Sequence, residues 1–244
     1  MNRLADAAWP DAARWAGDGA VLVVPIGATE QHGPHLPVTT DTDIAVAVVE
    51  AAAVLDHHLV VAPAVAYGSS GEHDGFAGTV SIGQEAIEAV LVELGRSAVR
   101  DFAHVVLACT HGGNASPFAR ALGRLAAEGH PVTGWSPPWA GDLHAGRTET
   151  SLMLTIAPDR VRLDRATPGD TRGGAELLPL LRAGGVRSVS PTGILGDPTG
   201  AAADEGSRLI RAAAADLATM VAMVAGLHRR SEMRGAGMGS EVTR

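Results

Sequence analysis

Short apolar runs, separated by longer segments with helical spacing, set the plan of this chain. Val21-Leu22-Val23-Val24-Pro25-Ile26 and Leu59-Val60-Val61-Ala62-Pro63 read as buried strands, as do His104 to Cys109 and Pro131 to Trp135. Ile87, Val90, Leu91 and Leu94 recur at spacings of three and four, which predicts a helix over about 84–100. Further helices are expected as a lead-in over 1–19 around Trp9 and Trp15, from Ile44 through the alanines behind it, and over about 116–127. Another has Glu149 in its first turn and ends near Pro158. Thr40 or Asp41 stands where the N-cap of the Ile44 helix belongs. Residues 158–200, mixed in Gly, Pro and Arg, are expected to hold one hairpin near 186–195. An Ala-rich helix over about 201–227 follows, and then a flexible tail over 231–244.

Strands alternating with helices imply a largely parallel sheet covered on both faces. No internal repeat and no linker interrupts the pattern, so residues 1–230 are expected to form one domain. Composition agrees: 46% of residues are hydrophobic but only 3% aromatic, so Ala, Val and Leu must fill the core, which suits a parallel sheet. The net charge of −8, without a basic block, argues against nucleic acid or an acidic membrane as partner. Met1 to Ala7 lacks the apolar stretch of a signal peptide, and no charge-free run reaches the length of a membrane span. The single cysteine, Cys109, cannot close an internal disulfide. The expectation is a cytoplasmic protein.

Candidate chemistry concentrates where the predicted strands end. Glu30-Gln31-His32-Gly33-Pro34-His35-Leu36-Pro37 follows the first strand, with Asp41 and Asp43 soon after. Thr110-His111-Gly112-Gly113-Asn114 follows the third, and Gly141 to Gly146, with His144, the fourth. Ligands of open α/β sheets bind beyond the carboxyl ends of strands, so one crevice could gather these loops. Glu30, His32, Asp41, His111 and Glu149 supply three carboxylates and two imidazoles, a donor set suited to Zn, Mn or Fe(II). With three carboxylates one can bridge two divalent ions about 3.5–4 Å apart, and Asp41 is the candidate bridge. Asp43 is the alternative if the loop register differs. His35 either supports a ligand or packs its own loop, and His73, in a Gly-rich loop, either contacts substrate or lies on the surface. Cys109 with His111 as base is a rival, thiol-based reading. Trp135 and Trp139 either wall the pocket or fill an oligomer contact.

These blocks, with His144-Ala145-Gly146, Glu149-Thr150-Ser151, Glu72-His73, Phe76-Ala77-Gly78-Thr79 and Gly193 to Pro198, resemble the creatininase family, in order, over about 20–225. The resemblance implies a three-layer α/β/α sandwich, a homo-oligomer (often a hexamer), and hydrolysis of an amide-type C–N bond at two divalent ions. Glu30, Asp41 and His111 would hold one ion, and His32 with Asp41 the second. Family members take a further carboxylate two residues after the histidine matching His111; Gly113 stands there in this chain, so Glu149 is the candidate replacement. That departure argues against creatinine as the substrate. Within the family the similarity is greatest to peptidases acting on a small modified precursor peptide, which implies release of its modified C-terminal Val-Tyr unit. Hydrolysis or deformylation of a small cyclic or nucleotide-derived amide is the competing enzyme reading, and a non-catalytic metal-binding scaffold for the peptide the third. In the catalytic readings His144 gives a proton to the leaving amine and Glu149 serves the reacting centre. The N–H groups of Gly112 and Gly113 steady the oxyanion, and His73 and Trp139 bind substrate.

Overall fold

The structure is a computed structural model that describes residues 1–238, with side chains described through Leu227. Five strands form one parallel sheet: β1 Asn2–Arg3, β2 Val21–Ile26, β3 Leu59–Val61, β4 His104–Cys109 and β5 Val132–Trp135, in the order β1-β3-β2-β4-β5. The register runs from Val21 opposite His104 to Ile26 opposite Cys109. Because side chains alternate along a strand, Val21, Val23, Val61, Val106 and Ala108 point to one face, and Leu22, Val24, Ile26, Val105 and Leu107 to the other. The first face is covered by α2 Thr40–Leu55, α5 Arg147–Ile156 and α7 Ala203–Met238. The second is covered by α3 Gln84–Ala98 and α4 Ala115–Ala127, with Trp15 and Ala16 of α1 Trp9–Gly17 at its margin. All six residues of β2 are buried, the signature of a strand sandwiched between helical layers. The result is a three-layer α/β/α sandwich.

The stripe that seats α2 on the sheet also delivers a functional residue. Ile44, Ala45, Val48, Val49, Ala52 and Ala53 are buried at helical spacing, and the same stripe continues upward to Asp41 in the first turn. Helix α2 begins at Thr40 with Thr39 as its cap, one residue earlier than the sequence suggested. Gly27, just past β2, makes this docking close, because a Cβ there would collide with the backbone of Thr42. On the far side, the Thr110 hydroxyl after β4 donates to the Asp41 carbonyl at 2.8 Å.

Two expectations need correction. The lead-in is not one helix: Asn2–Arg3 adds an edge strand parallel to β3, and α1 starts only at Trp9, where Pro10 sits in the first turn, tolerated because its missing N–H would have no helical partner. Trp9 is exposed while Trp15 packs inward. The hairpin near 186–195 does not form; a 3-10 turn occupies Val186–Ser188, and α6 Gly174–Gly184 precedes it. The backbone of 193–196 finds partners elsewhere, with Leu195 bridging His144 and Ile194 and Gly196 accepting from Asp170 and Gly169. Those partners outcompete a local hairpin.

Helix α7 runs past 227 to Met238, so the tail expected over 231–244 falls partly within it, and residues 239–244 lie outside the described residues. Its Ala203–Leu227 span is long and apolar enough to cross a membrane by length and composition. Here Ala213, Ala214, Leu217, Val221, Val224 and Ala225 pack it into the first core. The α5–α7 crossing depends on Gly206, whose Cβ would collide with the Ser151 carbonyl oxygen. Gly206→Ala is therefore expected to destabilise the fold by about 1–3 kcal/mol through overpacking. At about 2–4 °C per kcal/mol for a chain of this size, calorimetry would read it as a lower Tm.

Candidate metal centre

Strand β2 hands the chain leftward to β3, and the chain later returns to β4 on the other side of β2, so the loops after β2 and β4 part company above the sheet. Crevices of this kind are where open α/β sheets hold ligands. Glu30 and Asp41 come from the β2 loop and α2, His111 from the end of β4, His73 from the loop after β3, His144 from the β5–α5 connection and Glu149 from the first turn of α5. Glu30, Asp41 and His111 bring one donor atom each within 4.8 Å of one another, and so do His32, His144 and Glu149. Asp41 joins the two groups: Oδ2 lies 3.3 Å from His111 Nδ1, and Oδ1 lies 3.5 Å from His32 Nε2. Glu149 Oε2 is 3.8 Å from the same His32 nitrogen. Asp43 points away, to Arg160 at 2.9 Å and Thr39 at 2.8 Å, which leaves Asp41 as the inward carboxylate.

Hydrogen bonds around the cluster fix which ring nitrogens are free. His32 Nδ1 donates to the Glu30 carbonyl at 3.1 Å, so in the neutral ring Nε2 carries the lone pair. His111 Nε2 donates to the Ser69 carbonyl at 2.8 Å, so its lone pair is on Nδ1, facing Asp41. Asn114 ties that carbonyl in place, accepting from the Ser69 N–H at 2.9 Å while donating to the Gly27 carbonyl at 3.2 Å. Glu30 Oε1 and Oε2, His32 Nε2 and Asp41 Oδ2 are all buried without a hydrogen-bond partner. Burying a polar atom unpaired costs roughly 1–3 kcal/mol, and more for a charge. Four such atoms converging in one place fit a divalent cation, which would satisfy them together.

Charge states follow from the same crowding. Burial, reinforced by Asp41, pushes the Glu30 carboxyl up to about 8, against the pull of His111 and His32. Burial would lower His32, but Asp41, with Glu149 and Glu30, outweighs it and lifts the ring to about 10. His111 is likewise raised well above its ordinary value, since Glu30 and Asp41 overcome burial. Despite burial, those two rings hold Asp41 well below the usual carboxylate range. Burial raises Glu149. These directions favour protons on Glu30, His32 and His111 in the ion-free cluster, which a bound cation would displace. Ion loading at pH 7 is expected to release protons, and affinity to rise with pH until these groups are deprotonated. Calorimetric titration in buffers of differing ionisation enthalpy measures the release; heats independent of buffer would contradict it.

Other singled-out residues sort clearly. His144 is buried, its ring 4.2 Å from that of His32; burial and the neighbouring His32 and His73 hold it neutral, well below its ordinary value. His73 is no surface group: it is 3% exposed, lies 3.2 Å from Glu30 Oε1, and burial, with His32 and His111, lowers it to about 3. His35 packs its loop, Nε2 against the Thr150 hydroxyl at 2.9 Å, and burial lowers it to about 4. Gly112 is open and exposed, whereas a Cβ at Gly113 would collide with Glu72 Oε1, Ser69 O and His111 Nε2. Trp139 packs against the first core with its indole N–H buried and unpartnered. Trp135 donates to Asp216 at 2.7 Å. Cys109 is buried, which raises its thiol, and its Sγ faces the His111 carbonyl at 3.5 Å, so it is no poised nucleophile. Gln31, Thr150 and Asn114 support the site without having been picked out from the sequence. Each had a local signal, lying inside Glu30-Gln31-His32, Glu149-Thr150-Ser151 or His111-Gly112-Gly113-Asn114.

Fold and site together define an α/β/α protein with a buried carboxylate–imidazole centre of metal-ligating make-up. The family model described as "Creatininase: Creatinine amidohydrolase" matches residues 5–221, and the chain belongs to the creatininase family. A "Mycofactocin precursor peptide peptidase" of Mycolicibacterium smegmatis is 52% identical over 197 residues, covering 78% of this chain and 79% of its own. One of the same name from Mycobacterium tuberculosis is 48% identical over 212 residues, covering 82% and 84%. Among solved structures, a creatinine amidohydrolase superposes with TM-score 0.75 at 25% identity, covering 91% of this chain and 96% of that one. Related structures include a creatininase variant of Zn–Zn type, TM-score 0.73, and one of a creatininase with Mn, TM-score 0.74, each at 26% identity and covering 90% and 96%.

Proposed function

We propose that this chain, a hydrolase of amide C–N bonds, is a metal-dependent peptidase that cleaves a small modified precursor peptide of the mycofactocin type and releases its modified C-terminal Val-Tyr unit. The observation that carries this reading is the set of buried, unpartnered donors on Glu30, His32 and Asp41 beside a neutral His144. The two oxygens of Asp41, each turned to a different histidine, support a site for two divalent ions, Zn, Mn or Fe(II), which Glu30, Asp41 and His111 and, in turn, His32, Asp41 and Glu149 would hold. When bound, the ions supply Lewis-acid activation of water and of the amide carbonyl. The relatives' shared name points to a peptide as substrate.

His144 carries the proton. Its Nε2 hydrogen is held on the Gln31 carbonyl at 2.7 Å, which leaves the Nδ1 lone pair facing the cluster, 3.6 Å from Glu30 Oε1. A neutral ring has no spare proton to give at the outset. In this reading His144 first accepts one at Nδ1 from the attacking water and then delivers it to the departing nitrogen, so the acid role follows a base role. We carry a cytoplasmic homo-oligomer, a hexamer in the fullest form, into the same proposal. The exposed apolar side chains of Val54, Leu55, Met223 and Leu227 support association of copies.

The test is to load the protein with Zn, Mn or Fe(II), add the modified precursor peptide, and follow products by mass spectrometry. A released C-terminal fragment whose formation a chelator stops is the expected result. No fragment, with hydrolysis of small cyclic amides instead, would transfer the activity to the competing enzyme reading. Ion binding without turnover of either substrate would favour the scaffold.

A further inference from the structure

Gln31, between two of the candidate ligands and only 5% exposed, has no role in the chemistry described so far. Its amide is oriented by Gly33, whose N–H donates to Oε1 at 2.8 Å, so the other end of the amide is the donor. That Nε2 donates to the Gly193 carbonyl at 3.1 Å and to His73 Nδ1 at 2.8 Å. With both hydrogens used, its 3.1 Å approach to His144 Nε2 is a packing contact. An imidazole nitrogen that accepts carries no hydrogen, so neutral His73 has its hydrogen on Nε2, aimed at Glu30 Oε1 at 3.2 Å. The Gln31 backbone does the complementary thing, its carbonyl accepting from His144 Nε2 at 2.7 Å. The two rings, 4.4 Å apart, therefore turn opposite kinds of atom toward the same carboxylate: a donor from His73 and a lone pair from His144. Gly193 allows this close packing, since a Cβ there would collide with the Gln31 amide.

We propose that Gln31 is a positioning residue that sorts the histidines of this centre, turning the N–H of His73 toward Glu30 and leaving His144 its lone pair for proton transfer. Without the Gln31 donor, His73 is free to place its hydrogen on Nδ1 and present a lone pair to Glu30, so that His73 competes for the ion. Outer-shell partners that orient ligands in this way are worth about 10–100-fold in metal affinity. The inference rests on the reading of the cluster as an ion site, and the experiment separates the two.

Long-range proton–nitrogen NMR of the imidazole rings, on ion-free and zinc-loaded protein, reads the tautomers directly, and chelator competition reads the zinc affinity. In the unaltered chain the hydrogens of both His73 and His144 are expected on Nε2. Gln31→Glu, which keeps the acceptor for Gly33 and loses the donor, is expected to move the His73 hydrogen to Nδ1 and weaken zinc binding about 10–100-fold. Gln31→Met, similar in volume without either bond, is expected to weaken zinc binding as well while leaving the fold's Tm near that of the unaltered chain. A hydrogen on His73 Nδ1 in the unaltered protein, or a Gln31→Glu variant that binds zinc as tightly as its parent, would overturn the proposal. Failure of the unaltered protein to bind any divalent ion would instead overturn the reading of the cluster, while the ion-free spectra would still judge the tautomers.

Discussion

Replacing Asp41 by Asn is expected to remove ion binding and turnover together, the largest single effect at this site. Asn keeps the shape but loses the charge that faces both His32 Nε2 at 3.5 Å and His111 Nδ1 at 3.3 Å. As the carboxylate whose two oxygens face a histidine of each donor group, Asp41 cannot be bypassed by either. Metal-ion activation is worth several kcal/mol of transition-state stabilisation, and each 1.4 kcal/mol is tenfold, so turnover should fall by on the order of 10³ or more. Elemental analysis after dialysis should find the variant depleted of ions, and circular dichroism should find α2 intact, because the apolar stripe below Asp41 is untouched. Full ion content with full activity would remove Asp41 from the chemistry.

His144→Ala should separate binding from chemistry. The His144 Nε2 hydrogen is committed to the Gln31 carbonyl, and Glu30, Asp41, His111, His32 and Glu149 supply carboxylate and imidazole donors without it. Ion content is expected to stay near that of the unaltered protein, while kcat drops by about 10²–10⁴, the usual worth of a positioned proton carrier. Binding of the intact peptide should change little, so the loss belongs in kcat and not in KM. A variant that loses its ions instead would make His144 a ligand, and one that keeps full turnover would assign the proton transfer to another group.

Much of this architecture could be read from local pattern. The strands at 21–26 and 104–109 emerge where apolar runs predict them, because a strand buried on both faces leaves an unbroken apolar signature. Helix α3 follows its three-and-four spacing, and Glu149 falls in the first turn of α5 as its position suggested. The candidate ligands were visible for a related reason: Glu30, His32, Asp41 and His111 are polar residues directly after strands, where apolar core gives way to a crevice. What stayed hidden depends on contacts between distant segments. The failed hairpin is decided by pairing of 194–196 with 143–144 and 169–170, which no local spacing encodes. His73 looked like a loop residue because its burial comes from packing onto Glu30, 43 positions away in the chain (73 − 30). Gln31 was passed over because its partners at His144 and Gly193 are 113 and 162 positions distant. The glycine at 113 was legible as a departure from the family pattern, but the crowding of Glu72, Ser69 and His111 around it was not.

Anomalous X-ray scattering from crystals of the zinc- or manganese-loaded protein, collected on either side of the metal's absorption edge, tests the central claim most directly. Peaks within about 2.0–2.2 Å of Glu30, His32, Asp41 and His111 donor atoms, with Asp41 touching both ions, are the expected result. Peaks confined to other surfaces, in crystals of protein that still cleaves the peptide, would contradict it.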